Sequence, residues 1–121
     1  MNEMAATRPG YRSVTPRMVV GDLGGAVRFL REVLGATGDA VAGRPAEMRV
    51  GDSLIMVTEA GEREVFPAFL YIYVEDADSA YERAIMAGAV SIEAPSQTPY
   101  GDRRAMVRDP FGNVFQLATP G

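Results

Sequence analysis

The sequence predicts a single α+β domain in which one strand–helix–strands unit is used twice. Three observations carry that reading. The chain has 121 residues, enough for one ordinary domain to bury a core without covalent staples. Two helical stripes, each with an acidic cap, follow β-favouring runs. After each helix stop, short apolar runs recur between turn signals.

The elements follow in order. Residues 15–20 read as a strand that ends on the β-favouring pair Val19 and Val20. Asp22 stands where an N-cap belongs, and Leu23, Ala26, Val27, Leu30, Val33 and Leu34 recur at helical spacing until Gly35 stops the pattern. Beyond a Gly-containing stretch over 37–43, residues 46–50 and 53–58 read as short strands joined by a tight turn at Gly51 and Asp52. The second half repeats the order. Residues 69–74 form a strand, Asp76 caps a helix striped by Ala77, Ala80, Tyr81, Ala84 and Ile85, and Gly88 ends it. Residues 90–93, 104–108 and 114–118 supply three further strands. The halves align with Val20 opposite Val74, Asp22 opposite Asp76 and Ala26 opposite Ala80. Residues 51–56 fall opposite 112–117, which sets Ile55 against Gln116.

Composition excludes several functions. Cysteine and histidine are both absent, removing disulfides, thiolate and imidazole catalysis and the usual ligands of zinc, iron, nickel and copper. Only oxygen donors remain, which suit magnesium, calcium or manganese. With no apolar signal-peptide run in residues 1–13 and no membrane-length apolar stretch, a soluble cytoplasmic protein is expected. The formal charge of −4 and scattered arginines argue against nucleic acid as a partner. The Asp102, Arg103, Arg104 cluster reads as a solvated loop. No phosphate-binding glycine loop, dinucleotide fingerprint or nucleophile elbow is present.

Several motifs in fixed order resemble the vicinal oxygen chelate superfamily, which includes glyoxalase I, extradiol dioxygenases, fosfomycin resistance enzymes and bleomycin resistance proteins. They are Val19, Val20, Gly21, Asp22 with Phe29, Leu34 and Gly35; Arg49, Val50, Gly51, Asp52, Ser53; Val74, Glu75, Asp76; Ala87, Gly88, Ala89; Tyr100, Gly101, Asp102, Arg103; and Arg108, Asp109, Pro110, Phe111, Gly112, Asn113. The resemblance spans roughly 14–119. It implies two βαβββ modules, about 14–60 and 67–119, related by a pseudo-twofold axis after a flexible tail at 1–13. Mixed sheets would curl around a cleft, and the chain would form a homodimer. Family enzymes hold a divalent metal between the modules through four side chains, whose counterparts by motif are Thr15, Ile55, Phe69 and Gln116. Ile55 and Phe69 cannot ligate, so no metal and no cofactor is expected. A closer-looking subgroup often has histidine where Pro45 and Asn113 stand.

Strand alternation then defines the face expected to line the cleft. It comprises Thr15, Arg17 and Val19; Ser53, Ile55 and Val57; Phe69, Tyr71 and Tyr73; and Val114, Gln116 and Ala118. Stacked Phe and Tyr faces suit a flat conjugated ligand. Each assignment has a plainer competitor. Tyr71 and Tyr73 also fit an exposed or dimer-facing sheet. Arg17, Arg49 and Arg104 reach a ligand carboxylate or phenolate on one reading and are exposed or paired on the other. Glu47 is the lone general-base candidate, against an exposed or Arg-paired glutamate. Phe66, with Pro67, and Tyr100 form a lid or pack locally. Met48, Met56, Met86 and Met106 read as core filler, with Met106 also carried in the ligand set. The leading expectation is metal-free sequestration of a hydrophobic aromatic small molecule, resembling bleomycin- or mitomycin-type antibiotic resistance proteins. The alternative is a metal-independent isomerase, cyclase or lyase. An oxygen-ligand magnesium or manganese enzyme requires carboxylates converging on the cleft.

Overall fold

The computed structural model describes residues 6–121; the first five residues of the expected 1–13 tail lie outside it. Its first module comprises β1 (Arg17–Val20), α1 (Leu23–Leu34), β2 (Ala46–Val50) and β3 (Ser53–Glu59). The second comprises β4 (Phe69–Tyr73), α2 (Ala77–Met86), β5 (Val90–Gln97), β6 (Asp102–Arg108) and β7 (Val114–Pro120). The strands form a three-stranded sheet in the order β1-β3-β2 and a four-stranded sheet in the order β4-β7-β6-β5. Both are mixed, with β1 parallel to β3, β4 parallel to β7, and the other pairs antiparallel. The fold is α+β, as the sequence predicts. The first sheet carries three strands rather than four. Its would-be fourth strand survives as a single bridge between Thr37 and Arg49, in a stretch where Gly38 at φ +134° leaves no room for a side chain beside the Glu47 carbonyl and no β-branched run follows.

Local chemistry explains the element boundaries. Asp22 caps α1 by accepting from the Gly25 amide at 2.9 Å, and Gly35 ends it in the left-handed region at φ 65°. Asp76 caps α2 by accepting from Asp78 and Ser79 amides. β1 starts two residues later than expected because Pro16 has no amide to donate; its carbonyl still accepts from Met56 at 3.0 Å. The two-residue turn at Gly51 (φ 57°) and Asp52 joins β2 to β3. β5 runs longer than expected. It tolerates Pro95 because it is an edge strand with register shifts on either side of Glu93.

Both helices pack on the same side of the sheets and against each other, so the two modules share one core. Phe29 of α1 stacks on Phe115 of β7, with centroids 5.9 Å apart and planes 17° from parallel. The Arg83 guanidinium of α2 donates to the Val33 carbonyl near the end of α1 at 3.0 and 3.1 Å, satisfying an acceptor that the helix itself leaves open. At the entry to β7, buried Asn113 accepts from the Ala68 amide and donates to Asp109 Oδ2, each at 2.9 Å. Asn113 therefore clips the turn to the start of β4. Burial pushes the Asp109 carboxyl up, against the amides of Asn113, Phe111 and Gly112 that favour its charged form.

The register corrects one expected face. Met18 pairs with Val57 and Met48 with Ile55, all buried, so Ile55 and Val57 point to the helices. Arg17 pairs with Met56 and Val19 with Thr58, so Leu54, Met56 and Thr58 occupy the opposite face. Setting Gly51 against Gly112 misplaces the strand by one residue, and a shift of one inverts every side chain. Ile55→Ala should cost about 2–5 kcal/mol through lost transfer energy and a cavity. Met56→Ala should cost no more than about 1 kcal/mol. Urea unfolding of the two variants measures the difference.

Candidate ligand-binding face

The sheet faces turned away from the helices carry the side chains available for recognition. On the first module this face holds Arg17 and Val19 of β1, Glu47 and Arg49 of β2, and Met56 and Thr58 of β3. Arg17 donates through Nε and Nη2 to Thr58 Oγ1 at 3.2 and 3.1 Å. Glu47 is exposed and accepts a hydrogen bond from the Tyr11 hydroxyl. The Tyr11 phenol is raised above its ordinary value by desolvation, with Glu47 adding to the effect. Glu47 therefore lacks the apolar surroundings expected of a base. Arg49 is exposed on the same strand, while Thr15 lies ahead of β1 with its hydroxyl 3.5 Å from the Arg12 carbonyl.

Open cavities border this face. One of about 550 Å³ lies between β1 and the connecting segment, lined by Arg17, Val19, Glu62, Arg63, Glu64 and Phe66. Backbone bonds in both directions between Val19 and Phe66 hold that segment along β1, leaving the Phe66 ring 72% exposed. A second of about 250 Å³ lies at the seam between modules, where Pro16 and residues 50–53 approach Leu70, Tyr71, Ile72 and Tyr73. Buried Ile55 touches that cavity from the core side.

The second module gathers the denser chemistry. Phe69, Tyr71 and Tyr73 stand in a row on β4, 67%, 37% and 62% exposed, while Leu70 and Ile72 pack against the core. Val114, Gln116 and Ala118 of β7 lie directly beside them. Next comes β6, with Asp102, Arg104 and Met106 on this face and Ala105 and Val107 buried behind. Asp102 is not in a solvated loop: it opens β6 and is only 8% exposed. Its Oδ2 accepts from the Tyr71 hydroxyl at 2.6 Å and from the Tyr73 hydroxyl at 3.3 Å. The Tyr71 and Tyr73 rings meet edge-to-face at 5.5 Å. Arg104 donates to the Tyr100 hydroxyl at 2.8 Å and to Glu93 at 3.1 Å, so it is a pair-forming arginine. Tyr100 is tied into the cluster rather than free over it, its hydroxyl 3.3 Å from that of Tyr71. Alternation along β6 already places Asp102 in phase with Arg104 and Met106. That signal was obscured because the strand begins directly after a Tyr100, Gly101 turn.

The methionines divide. Met48 is core, Met56 and Met106 are half-buried on the open face, and Met86 is 91% exposed at the end of α2. Met56, Met86 and Met106 therefore depart from the core-filler assignment.

The donors do not fit a divalent cation. With the corrected register, the four motif positions hold Thr15, Met56, Phe69 and Gln116. A thioether and a phenyl ring offer nothing to a hard cation, and the two oxygens left are neutral. Among the described residues no three carboxylates converge to form a metal site.

Comparison with known proteins agrees with this architecture. Residues 12–117 match the family model described as the Glyoxalase/Bleomycin resistance protein/Dioxygenase superfamily. An uncharacterized protein of Mycobacterium tuberculosis is 27% identical over 129 aligned positions, which cover 89% of this chain and 74% of that protein. Among solved structures, TioX from Micromonospora sp. ML1 superposes with a TM-score of 0.75 at 23% identity, covering 88% of this chain and 97% of that one. A glyoxalase-related enzyme from Fulvimarina pelagi gives 0.74 at 18% identity, over 89% and 87% of the two chains.

The tyrosine cluster has a pH signature. The Asp102 carboxylate, which the Tyr71 hydroxyl donates to, pushes that phenol well above its usual range, and Tyr100 adds to the effect. The Tyr73 phenol is raised by the Asp102 charge first and by desolvation second. Because these phenols are harder to ionise in the folded chain, their stabilisation is present below the unfolded phenol value of about 10 and is lost as pH rises through the folded values. Alkaline titration of phenolate absorbance should show late-ionising tyrosines in the native protein. Asp102→Asn should return them towards the ordinary range.

Proposed function

Because the chain belongs to the glyoxalase/bleomycin resistance protein/dioxygenase superfamily, whose members bind small molecules, we propose that it binds and sequesters a hydrophobic aromatic small molecule without a metal ion. The observation that carries this reading is the exposed row of Phe69, Tyr71 and Tyr73 on an open sheet face, at and beside the positions where a cation would need charged donors. Flat rings stack on such a row with a gain of about 0.5–1.5 kcal/mol per aromatic pair beyond simple burial. Gln116 beside Tyr71 and Met106 opposite Gln116 extend the surface with one amide and one adaptable thioether. On the first module Phe66 adds one exposed ring at the edge of the β1 cavity, whose other lining is mostly charged. In this reading Arg17 and Arg49 border the ligand, Thr15 lies at the rim, and the working unit is a homodimer in the cytoplasm.

A second reading follows from Tyr71. With its hydroxyl hydrogen committed to the Asp102 carboxylate, proton transfer in a metal-independent isomerase, cyclase or lyase falls to that carboxylate.

Tyrosine fluorescence titration against flat aromatic compounds should saturate. Phe69→Ala and Tyr71→Ala should each weaken binding by about 0.5–1.5 kcal/mol plus the lost burial. Mass spectrometry of the recovered ligand separates the two readings: an unchanged ligand supports sequestration, and an altered one supports the enzyme. Saturation untouched by either substitution would remove the tyrosine face from the account.

A further inference from the structure

Asp102 is an unusual carboxylate because it is buried, strongly hydrogen-bonded on one oxygen, and without a cation of its own. Its backbone is held on both sides by Thr98, whose hydroxyl accepts from the Asp102 amide at 2.9 Å and donates to the Asp102 carbonyl at 2.8 Å. Its Oδ2 takes the hydroxyls of Tyr71 and Tyr73. Its Oδ1 has no donor among the described residues, and it is not sealed from solvent, since the one sealed and unpartnered side-chain polar atom there is Arg104 Nε.

The neighbouring donors all run towards this acid. Tyr71 spends its single hydrogen on Asp102, so its contact with Tyr100 must be donated by Tyr100. Arg104 in turn donates to Tyr100. The resulting chain of donors, Arg104 to Tyr100 to Tyr71 to Asp102, ends on Oδ2 of the carboxylate and leaves Oδ1 outside it. The Arg104 charge does not neutralise Asp102, because its other contact is the ion pair with Glu93. One acid is therefore left over, with two phenol hydroxyls on its Oδ2 and its Oδ1 free of donors among the described residues.

From this geometry we propose that Asp102 Oδ1, with the rings of Tyr71, Tyr73 and Tyr100, forms a subsite for an organic ammonium group, so that the ligand is an aromatic amine-bearing cation. The inference rests on the binding reading above and narrows its ligand class. An ammonium group seated there gains a charge-assisted hydrogen bond to Oδ1 and supplies the counter-charge the fold omits. An anionic ligand meets the unpaired acid instead and is repelled.

The test uses the full chain and three probes of one shape: naphthylmethylamine, naphthalenemethanol and naphthoate, titrated by calorimetry and followed by amide chemical shifts. The amine should bind at least about tenfold more tightly than the alcohol, naphthoate should bind most weakly, and the amine preference should shrink with added salt. Asp102→Asn should abolish that preference while the alcohol still binds. Tyr73→Phe, which keeps the ring and loses the longer hydrogen bond, should retain most of it. Equal binding of all three probes, or an amine preference that survives Asp102→Asn, would overturn the ammonium subsite alone. Failure of all three to bind would overturn the binding face itself, and the subsite with it.

Discussion

The parallel pairs β1 with β3 and β4 with β7 are the constraint on which the rest of the molecule depends. Each pair fixes which alternate residues meet the helices and which stand on the opposite face. Met18, Val20, Ile55 and Val57 in one module, and Phe115 and Leu117 in the other, are committed to the shared core. Arg17, Met56, Tyr71 and Gln116 are thereby left to face away from it. A strand cannot place the same residue in both environments, so the chemistry of the open face follows from the packing of the closed one. The helix contacts reinforce that choice: the Phe29–Phe115 stack and the Arg83 bonds to the end of α1 hold the two modules on one core.

Much of this was legible in the residue order. The two acidic caps, the Gly35 stop and the Gly51, Asp52 turn are local devices whose physical causes are confined to a few neighbouring residues, and they lie where the sequence predicts them. The β4 face was also legible, because period-2 alternation through Phe69, Tyr71 and Tyr73 is unbroken. What was not legible depended on register between distant strands. Aligning Gly51 with Gly112 sets Ile55 against Gln116, whereas the number of residues between glycine and open face differs by one between the modules. Only the pairing of Arg17 with Met56 reveals that. Asp102 was hidden for a related reason. A charged triplet after a glycine turn looks solvated until Tyr71 and Tyr73, roughly thirty positions away in the chain, are brought over its carboxylate. The missing fourth strand of the first sheet turns on Gly38 and its neighbours, where backbone freedom outweighs any strand preference.

The two modules differ in what they offer. The first presents two arginines and two glutamates around an open cavity beside β1, while the second concentrates tyrosines around one buried acid. Such asymmetry suits recognition of a ligand with unlike ends. It does not suit symmetric coordination of an ion between equivalent strands. The positions that would complete a coordination shell have become a hydroxyl, a thioether, a phenyl ring and an amide, and the thioether and ring serve contact surface better than charge.

The central claim is that this open face carries aromatic recognition and no cation site. Manganese(II) titration followed by paramagnetic broadening of amide signals tests it most directly, because a bound ion erases resonances around its own position. The account predicts only diffuse broadening near exposed carboxylates, with the signals of Met56, Phe69 and Gln116 preserved. Saturable, selective loss of those three signals at low manganese concentration would contradict it.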